Sequence, residues 1–265
     1  MEISYNELKP KLIDFRNNNR SLITNYIYQD LSEQKIVFFY NENGLLFFIH
    51  DEDYDFYKMY FMVSSLNELD TLLNQVKLNK CITLELIKKN ETFSCDLKEL
   101  LAKNSFKDTF VLKRMSTLAR YKQLNNLNEV IQYCSLEDVE LLKRIFKNKF
   151  NKYSDRLPSK EEIQTAVKSK SIIKLFNNEE LMGFLWFLNK TSVSELKYLF
   201  IDEKYRGQNL SKVLVDQYLH LTNDIKKKQL WVLSDNKKAI SLYKKYGYSF
   251  EDLEDIIFVR SEKGS

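Results

Sequence analysis

The residues between 199 and 211 have the types and the order expected of a phosphate-binding turn. They read LFIDEKYRGQNLS: an apolar strand, a short polar turn with Arg206 and Gly207, and the first turn of an amphipathic helix. A helix start leaves backbone N–H groups without intrahelical partners and carries a partial positive charge. Glycine lets an anion approach the backbone closely. The pattern favours an anion site, although an ordinary tight turn accounts for this segment alone nearly as well.

A second segment combines a buried strand with a capped helix. Residues 231–236 read WVLSDN, and the ten residues that follow have a helical pattern that includes Tyr243. Asn236 is of the type that caps a helix start, and Gly247 is of the type that ends a helix in a left-handed conformation. The segment therefore predicts a strand, a helix from 237 to 246 and a glycine turn.

The elements that would position these two segments follow one another at short intervals. The helix starts are predicted by Ser135 with Asp138 and by Ser159 with Glu162, two pairs with capping-box spacing. The predicted strands cover 129–134, 171–176, 181–188, 193–202, 229–233 and 256–260, and a further helix covers 210–221. The order βααβββαβαβ predicts a mixed sheet covered by helices, an α/β (α+β) layer fold.

The polar segment 117–128 lacks apolar periodicity, so it predicts the connection between two domains, 1–125 and 126–265. The first half echoes the second in pattern. Residues 58–64 and the helix at 66–73 resemble 197–202 and the helix after them, and 96–116 parallels 239–261. We expect a degenerate related domain there, or else an unrelated α+β domain. Residues 63–69 read VSSLNEL, without Gly or Arg, so no phosphate site is expected in that half.

Composition excludes several classes of function. The net charge of +4 is too small for a nucleic-acid-binding signature. Three separated cysteines and two isolated histidines make a disulfide framework or a metal site improbable. No leader or long apolar run is recognised, which favours a soluble, cytoplasmic protein without a membrane partner, as a monomer or homodimer. Residues 226–228, three consecutive lysines, predict a solvated turn at a helix end.

The segment 199–211 resembles the pyrophosphate loop of the GNAT acetyltransferase superfamily, Arg/Gln-x-x-Gly-x-Gly/Ala after the fourth strand. Arg206 matches the first position, Asn209 replaces the first glycine, and Ser211 replaces the final small residue. Asn is the non-glycine residue that best tolerates a positive φ. The segment 231–248 resembles the family's fifth strand, its Asn-x-x-Ala-x-x-Leu-Tyr helix and its Gly-Phe/Tyr turn. Gly183 also stands where this family tends to place a glycine.

The resemblance implies a GNAT fold for the C-terminal half, with acetyl-CoA as the acyl donor and no metal. It implies contacts between the acyl-pantetheine arm and the backbone of the fourth strand. The expected cofactor-binding residues are Phe200, Ile201, Arg206, Gly207, Gln208, Asn209, Leu210, Ser211 and Asn236.

Acetyl transfer to an amine requires the removal of a proton, because an alkyl amine has a pKa near about 10. Glu195 resembles the strand-borne glutamate of histone acetyltransferases in this superfamily, and it is our candidate base. The alternative is a surface ion pair between Glu195 and Lys197. By resemblance Tyr243 is the general acid for the thiolate, although an aromatic residue there also packs well.

The acceptor site is the least defined part of the prediction. Tyr153 and Arg156 lie where relatives shape the acceptor site, and they are also compatible with an ordinary loop. The preferred function is an N-acetyltransferase that acts on a primary amine of a small molecule or peptide. The alternative is a non-catalytic CoA-binding or protein-interaction module built from tandem GNAT-like domains.

Overall fold

The computed structural model describes residues 2–19, 21–26, 35–89, 95–120, 131–177 and 180–262. The chain forms two compact units. Unit 1 comprises Met1–Val111 and Glu254–Ser265, and unit 2 comprises Leu112–Leu253. The predicted domains, 1–125 and 126–265, differ from these units at both ends of unit 2 and stay a prediction. Within the described ranges, no helix is both long and apolar enough to cross a bilayer.

The elements alternate strands and helices along the whole chain. Unit 1 contains β1 (Glu2–Ile3), α1 (Tyr5–Asn18), β2 (Ile23–Thr24), β3 (Ile36–Asn41), β4 (Gly44–Asp51), β5 (Phe56–Val63), α2 (Leu66–Leu73), β6 (Ile82–Lys88) and α3 (Cys95–Lys103). Strand β7 (Lys107–Thr117) begins in unit 1 and ends in unit 2. Unit 2 continues with β8 (Ile131–Tyr133), α4 (Val139–Lys149), α5 (Lys160–Lys168), β9 (Ile172–Asn177), β10 (Glu180–Asn189), β11 (Val193–Ile201), α6 (Leu210–Leu221), β12 (Lys227–Leu233), α7 (Lys237–Lys245) and the start of β13 (Ser249–Arg260).

The sheet of unit 1 is apolar on both faces because helices cover both. Along β4, alternate residues enter two different cores: Leu46 and Phe48 pack with α2 and α3, whereas Leu45, Phe47 and Ile49 pack with α1. This alternation follows from the two-residue period of a strand. The strands pair antiparallel except for β5 and β6, which are parallel.

The sheet of unit 2 has the order β8-β9-β10-β11-β12-β7. Its strands are antiparallel except for the parallel pair β11 and β12, which α6 connects. Helices α6 and α7 pack on one face through Leu214, Tyr218 and Tyr243. Helix α4 packs on the opposite face, where the Phe146 ring contacts Tyr198 at 4.8 Å. The predicted mixed α/β fold is confirmed.

Each sheet is completed by a strand from a distant part of the sequence. In unit 2 the strand beside β12 is the end of β7, with Leu112 opposite Leu233 and Thr117 opposite Lys228. In unit 1 the strand beside β6 is the end of β13, with residues 254–260 opposite 82–88. Residues 112–117, from the first half of the sequence, thus belong to the sheet of unit 2. Residues 254–260, from the second half, belong to the sheet of unit 1.

Most predicted elements of unit 2 are found within one or two residues of their predicted bounds. Helix α6 has the predicted bounds, and the capping boxes at Ser135 and Ser159 both form. The turn after Ser135 is a 3-10 helix, Leu136–Asp138, before α4 begins. Residues 121–128 of the predicted connection and 129–130 of the first predicted strand lie outside the described residues.

The prediction of a solvated turn at 226–228 is wrong. Strand β12 begins at Lys227, and Lys228 is fully buried. Its backbone lies between two strands, opposite Ser194 of β11 and Thr117 of β7. Pairing on both sides extends the strand beyond its apolar run and takes the Lys228 side chain under α6.

Candidate functional site

The parallel strands β11 and β12 separate partway along their length. They pair only from Val193 opposite Lys227 to Leu196 opposite Leu230. Beyond Leu196, β11 pairs with β10 alone among the described residues. The separation leaves a cleft bordered by the second half of β11, whose backbone groups on that side have no strand partner in the described ranges. Phe200 and Ile201, the predicted acyl-arm contacts, lie on this stretch.

A bulge lies at the point of separation. Tyr198 pairs with Trp186 and Leu196 pairs with Phe187, so Lys197 is the extra residue of β11. Further along, Gly183 lies opposite Ile201, and a Cβ on Gly183 would come within 2.5 Å of the Phe200 carbonyl oxygen. Glycine is therefore required there for the close approach of β10 and β11, which fixes the edge of the cleft.

The start of α6 presents unpaired backbone donors. Asn209 is the N-cap with φ 58° and Gly207 has φ 84°, so both are left-handed, as expected from their residue types. The first intrahelical acceptor, the Asn209 carbonyl, bonds the N–H of Lys212 and Val213. In the part of the chain that the structure describes, no acceptor meets the N–H groups of Gly207, Gln208, Asn209, Leu210 and Ser211.

The surroundings of this helix start suit an anion. The first turn of α6 contains no acidic residue, and a Cβ on Gly207 would meet nothing within 4 Å. Arg206 is exposed, and its Nε donates to the Ile201 carbonyl oxygen at 3.4 Å. The donors, the nearby cation and the open space together fit a diphosphate group.

Helix α7 is capped as predicted. The Asn236 side chain accepts a hydrogen bond from the Ala239 N–H at 3.1 Å, and Gly247 ends the helix with φ 72°. Tyr243 is buried in the same core cluster as Leu196 and Leu230, the residues at which β11 and β12 separate. Burial raises the pKa of the Tyr243 phenol, with a further contribution from Tyr218. The hydroxyl is therefore protonated at neutral pH.

Glu195 lies on the opposite face of the sheet from Tyr243. Its neighbour Leu196 belongs to the core under α6 and α7, and side chains alternate along a strand. The Glu195 carboxylate accepts a hydrogen bond from Gln229 Nε2 at 3.0 Å.

The alternative ion pair between Glu195 and Lys197 is absent among the described residues. Lys197 Nζ lies instead 5.8 Å from the ring centroids of both Trp186 and Tyr198. The physical reason is the bulge at Lys197, where its ammonium group lies beside these two rings instead of beside the carboxylate.

The loop between α4 and α5 is tied to β11. The Tyr198 hydroxyl donates to the Arg156 carbonyl oxygen at 2.5 Å, and Arg156 has φ 46°. Asp155 accepts the Asn151 N–H at 2.6 Å, and burial raises the pKa of the Asp155 carboxyl. The structure thus places Tyr153 and Arg156, the predicted acceptor-site residues, on a loop anchored to the face that carries Glu195.

Sequence reasoning missed a chain of polar contacts behind Glu195. Arg114 Nη2 donates to Gln229 Oε1 at 2.6 Å, and Arg114 Nε lies 3.1 Å from Glu251 Oε2. Gln229, a polar residue directly before the apolar run from Leu230 to Leu233, was a local signal for a polar contact on β12. Nothing in the sequence paired that residue with Arg114.

No metal site is evident from the residues that the structure describes, since none of their His, Cys, Asp and Glu side chains form a group of three or more that could hold an ion.

Comparison with known proteins supports this geometry. Residues 139–248 match the model of the Acetyltransferase (GNAT) family. Solved structures with the same fold include a GCN5-related N-acetyltransferase from Sphaerobacter thermophilus (TM-score 0.59, 10% identity, 87% of this chain and 81% of that one). The match to a GNAT-family acetyltransferase from Colwellia psychrerythraea has a TM-score of 0.53 and 15% identity. It covers 99% of this chain and 99% of that one.

A tandem GNAT protein from the clavulanic acid biosynthesis pathway also has this fold, with a TM-score of 0.51, 9% identity, and coverage of 84% of this chain and 80% of that one. No curated protein matches the sequence. The family match covers the cleft, the start of α6 and Tyr243, and the structural matches extend over both halves. Residues 139–248, less than half of the chain, are therefore similar to a GNAT acetyltransferase domain.

Proposed function

We propose that this protein transfers an acetyl group from acetyl-CoA to a primary amine of a small molecule or peptide. The observation that carries the proposal is the row of unpaired backbone N–H groups at the start of α6, next to the cleft between β11 and β12. A diphosphate is the part of a CoA thioester that such donors would bind.

Binding would use the helix start and the strand edge together. Each charge near the end of a helix gains about 0.3–1 kcal/mol from the helix dipole, and each amide hydrogen bond adds about 0.5–1.5 kcal/mol. The residues from Arg206 to Ser211 would hold the diphosphate. The thioester arm would lie along β11, where the backbone of Phe200 and Ile201 supplies donors and acceptors. Asn236, at the start of α7, would border the other side of the cleft.

The reaction would use the two faces of the sheet. On the face of Glu195, the carboxylate accepts a proton from the amine, directly or through a water. The amine nitrogen then forms a bond to the thioester carbonyl carbon, and backbone N–H groups of β11 stabilise the oxyanion. On the other face, the carbon–sulfur bond breaks and Tyr243 donates its proton to the departing sulfur. The nitrogen releases its excess proton to water, and water returns a proton to the Tyr243 phenolate. The products are the N-acetylated amine and the CoA thiol.

The position of Tyr243 supports the role of proton donor, because it lies in the same core cluster as Leu196 and Leu230, where β11 and β12 separate. Burial raises the pKa of the phenol, which keeps it protonated but also makes it a weaker acid than a free tyrosine. The acceptor would enter from the side of the loop between α4 and α5, where Tyr153 and Arg156 would contact it.

Calorimetry with acetyl-CoA, followed by a thiol-release assay over a panel of amines, tests the proposal. We expect binding and, with at least one class of amine, thiol release that depends on the amine. Absence of heat would contradict the proposed site. Binding without thiol release from any amine would favour the alternative, a non-catalytic CoA-binding module.

A further inference from the structure

We infer that Gln229 and Arg114 are positioning residues for Glu195: they hold its carboxylate in one orientation at the mouth of the cleft. The inference rests on the proposed function, in which Glu195 is the base. It adds two residues for which the family match assigns no role, and Arg114 lies outside residues 139–248 altogether.

The contacts fix the orientation of the Gln229 amide. A guanidinium group only donates hydrogen bonds, so the amide oxygen must face Arg114, and it does so at 2.6 Å. The amide nitrogen then faces Glu195, to which it donates at 3.0 Å. Gln229 is 7% exposed, so water is poorly placed to replace either partner. The amide therefore has one stable orientation. It engages one carboxylate oxygen of Glu195, and the other accepts no hydrogen bond from the residues that the structure describes.

Arg114 is itself held from several sides. Its Nε lies 3.1 Å from Glu251 Oε2, and its guanidinium lies 5.7 Å from the centroid of the Trp231 ring. Glu251 also accepts the Ser116 hydroxyl at 2.6 Å and pairs with Lys227 at 2.5 Å.

The charge state of Glu251 supports this arrangement. Burial works to raise the pKa of Glu251, but the hydrogen bonds from Lys227 and Ser116, together with the Arg114 charge, lower it overall. Glu251 is therefore an anion at neutral pH and continues to hold Arg114.

The position of these contacts matters for the chemistry. Glu195 and Gln229 form the last rung but one before β11 and β12 separate. Both side chains point to the face away from α6 and α7, which is the face of the loop between α4 and α5. A carboxylate that rotated at this point would move its free oxygen away from an amine in the cleft, and small displacements of a base cost large factors in rate.

A double-mutant cycle with Glu195→Gln and Gln229→Met tests the inference. We expect Gln229→Met to lower kcat about tenfold at saturating amine while the Kd for acetyl-CoA stays within about twofold. In the Glu195→Gln background, Gln229→Met should change kcat less than about twofold, because its effect passes through Glu195. A purely structural role would lower kcat by the same factor in both backgrounds, and that result would overturn the inference.

Arg114→Met provides a second variant if Gln229→Met does not fold. It should lower kcat in the same direction, again only when Glu195 is present. Lys113→Met is the matched control, since it removes a cation from the adjacent position of β7 and should leave kcat unchanged. A wild-type protein that binds acetyl-CoA and acetylates no amine would overturn the proposed function and this inference with it. A wild-type protein that turns over, with multiplicative effects in the cycle, would overturn the inference alone.

Discussion

The two units contain the same strand–helix–strand arrangement with different helix starts. In unit 1, α2 joins the parallel strands β5 and β6, and in unit 2, α6 joins the parallel strands β11 and β12. At the start of α2 the Ser65 side chain accepts the Glu68 N–H at 3.4 Å, and Glu68 places a carboxylate in the first turn. At the start of α6 the donors are open and no acid is present. The same scaffold thus occurs once with the proposed anion site and once with a capped, acidic helix start.

The later helices of the two units, α3 and α7, end in the same way but differ at one residue. Both end on a left-handed residue, Ser105 after α3 and Gly247 after α7. Phe106 N–H bonds the Leu101 carbonyl oxygen just as Tyr248 N–H bonds that of Tyr243. Leu101 therefore occupies the place of Tyr243. At the corresponding positions, unit 1 has a side-chain cap and a carboxylate at the helix start, and a leucine in place of the phenol. The fold alone therefore does not supply the proposed chemistry.

Loss of the phenol is the most damaging change that the comparison predicts. Tyr243→Phe makes unit 2 resemble unit 1 at this position, and we expect kcat to fall about 100-fold, because general acid catalysis contributes about 100-fold or more. The Kd for acetyl-CoA should stay within about twofold. Steady-state kinetics and calorimetry check both, with Tyr248→Phe as the control. Unchanged turnover in a folded Tyr243→Phe protein would show that Tyr243 only packs.

A carboxylate at the helix start should close the anion site. Ser211→Glu gives α6 an acid in its first turn, as α2 has, and we expect the Kd for acetyl-CoA to rise about 30-fold, or about 2 kcal/mol, by repulsion of the diphosphate. The helix itself should not be destabilised, because acids suit a helix N-terminus.

The matched control for this change is Asn67→Glu, which makes the same change of charge at the second residue of α2. Calorimetry should find its Kd equal to that of the wild type. Equal losses in the two variants would mean that overall charge, and not the start of α6, determines binding.

The two units also differ at the second residue of the second strand of each parallel pair, which is β6 in unit 1 and β12 in unit 2. In β6 it is Thr83, buried, whose hydroxyl donates to the Tyr57 carbonyl oxygen. In β12 it is Lys228, also buried, whose Nζ has no hydrogen-bond partner among the described residues. Burial, with a contribution from the Arg120 charge, lowers the pKa of Lys228. The unfolded chain therefore binds this proton more tightly, and Lys228 destabilises the folded state at neutral pH.

We expect Lys228→Met to raise the free energy of unfolding by about 1 kcal/mol at pH 7. The gain should shrink as the pH rises from the folded-state pKa towards that of the unfolded lysine. Denaturant titrations at pH 7 and at higher pH measure the difference. A gain that does not depend on pH would mean that packing, and not charge, causes it.

The smallest effect concerns the cap of α2. Ser65→Ala removes the side-chain acceptor that closes this helix start, and we expect a loss of about 0.5–1 kcal/mol in the free energy of unfolding. Acetyl-CoA binding should not change, because the residue belongs to unit 1. A new weak binding event in calorimetry would instead show that the cap is what keeps α2 from accepting an anion.

Local signals predicted much of unit 2. The left-handed conformation of Asn209 followed from its residue type, and the cap at Asn236 and the bounds of α6 followed from spacing. Features set by distant pairing were not predictable. Lys228 is buried because β7 and β11 pair on either side of it, and Arg114 meets Gln229 only because the register of β7 against β12 brings them together. No local pattern encodes a register between segments more than a hundred residues apart.

The completion of each sheet by a distant segment has a consequence for synthesis of the chain. Strand β6 acquires its second neighbour from residues 254–260, which follow every other described strand in the sequence. During translation, β6 therefore presents an unpaired edge until residues 254–260 have left the ribosome, and such edges invite association between nascent chains. Because this pairing is so distant in sequence, we expect unit 1 to close late and its folding to depend on chaperone supply and expression temperature.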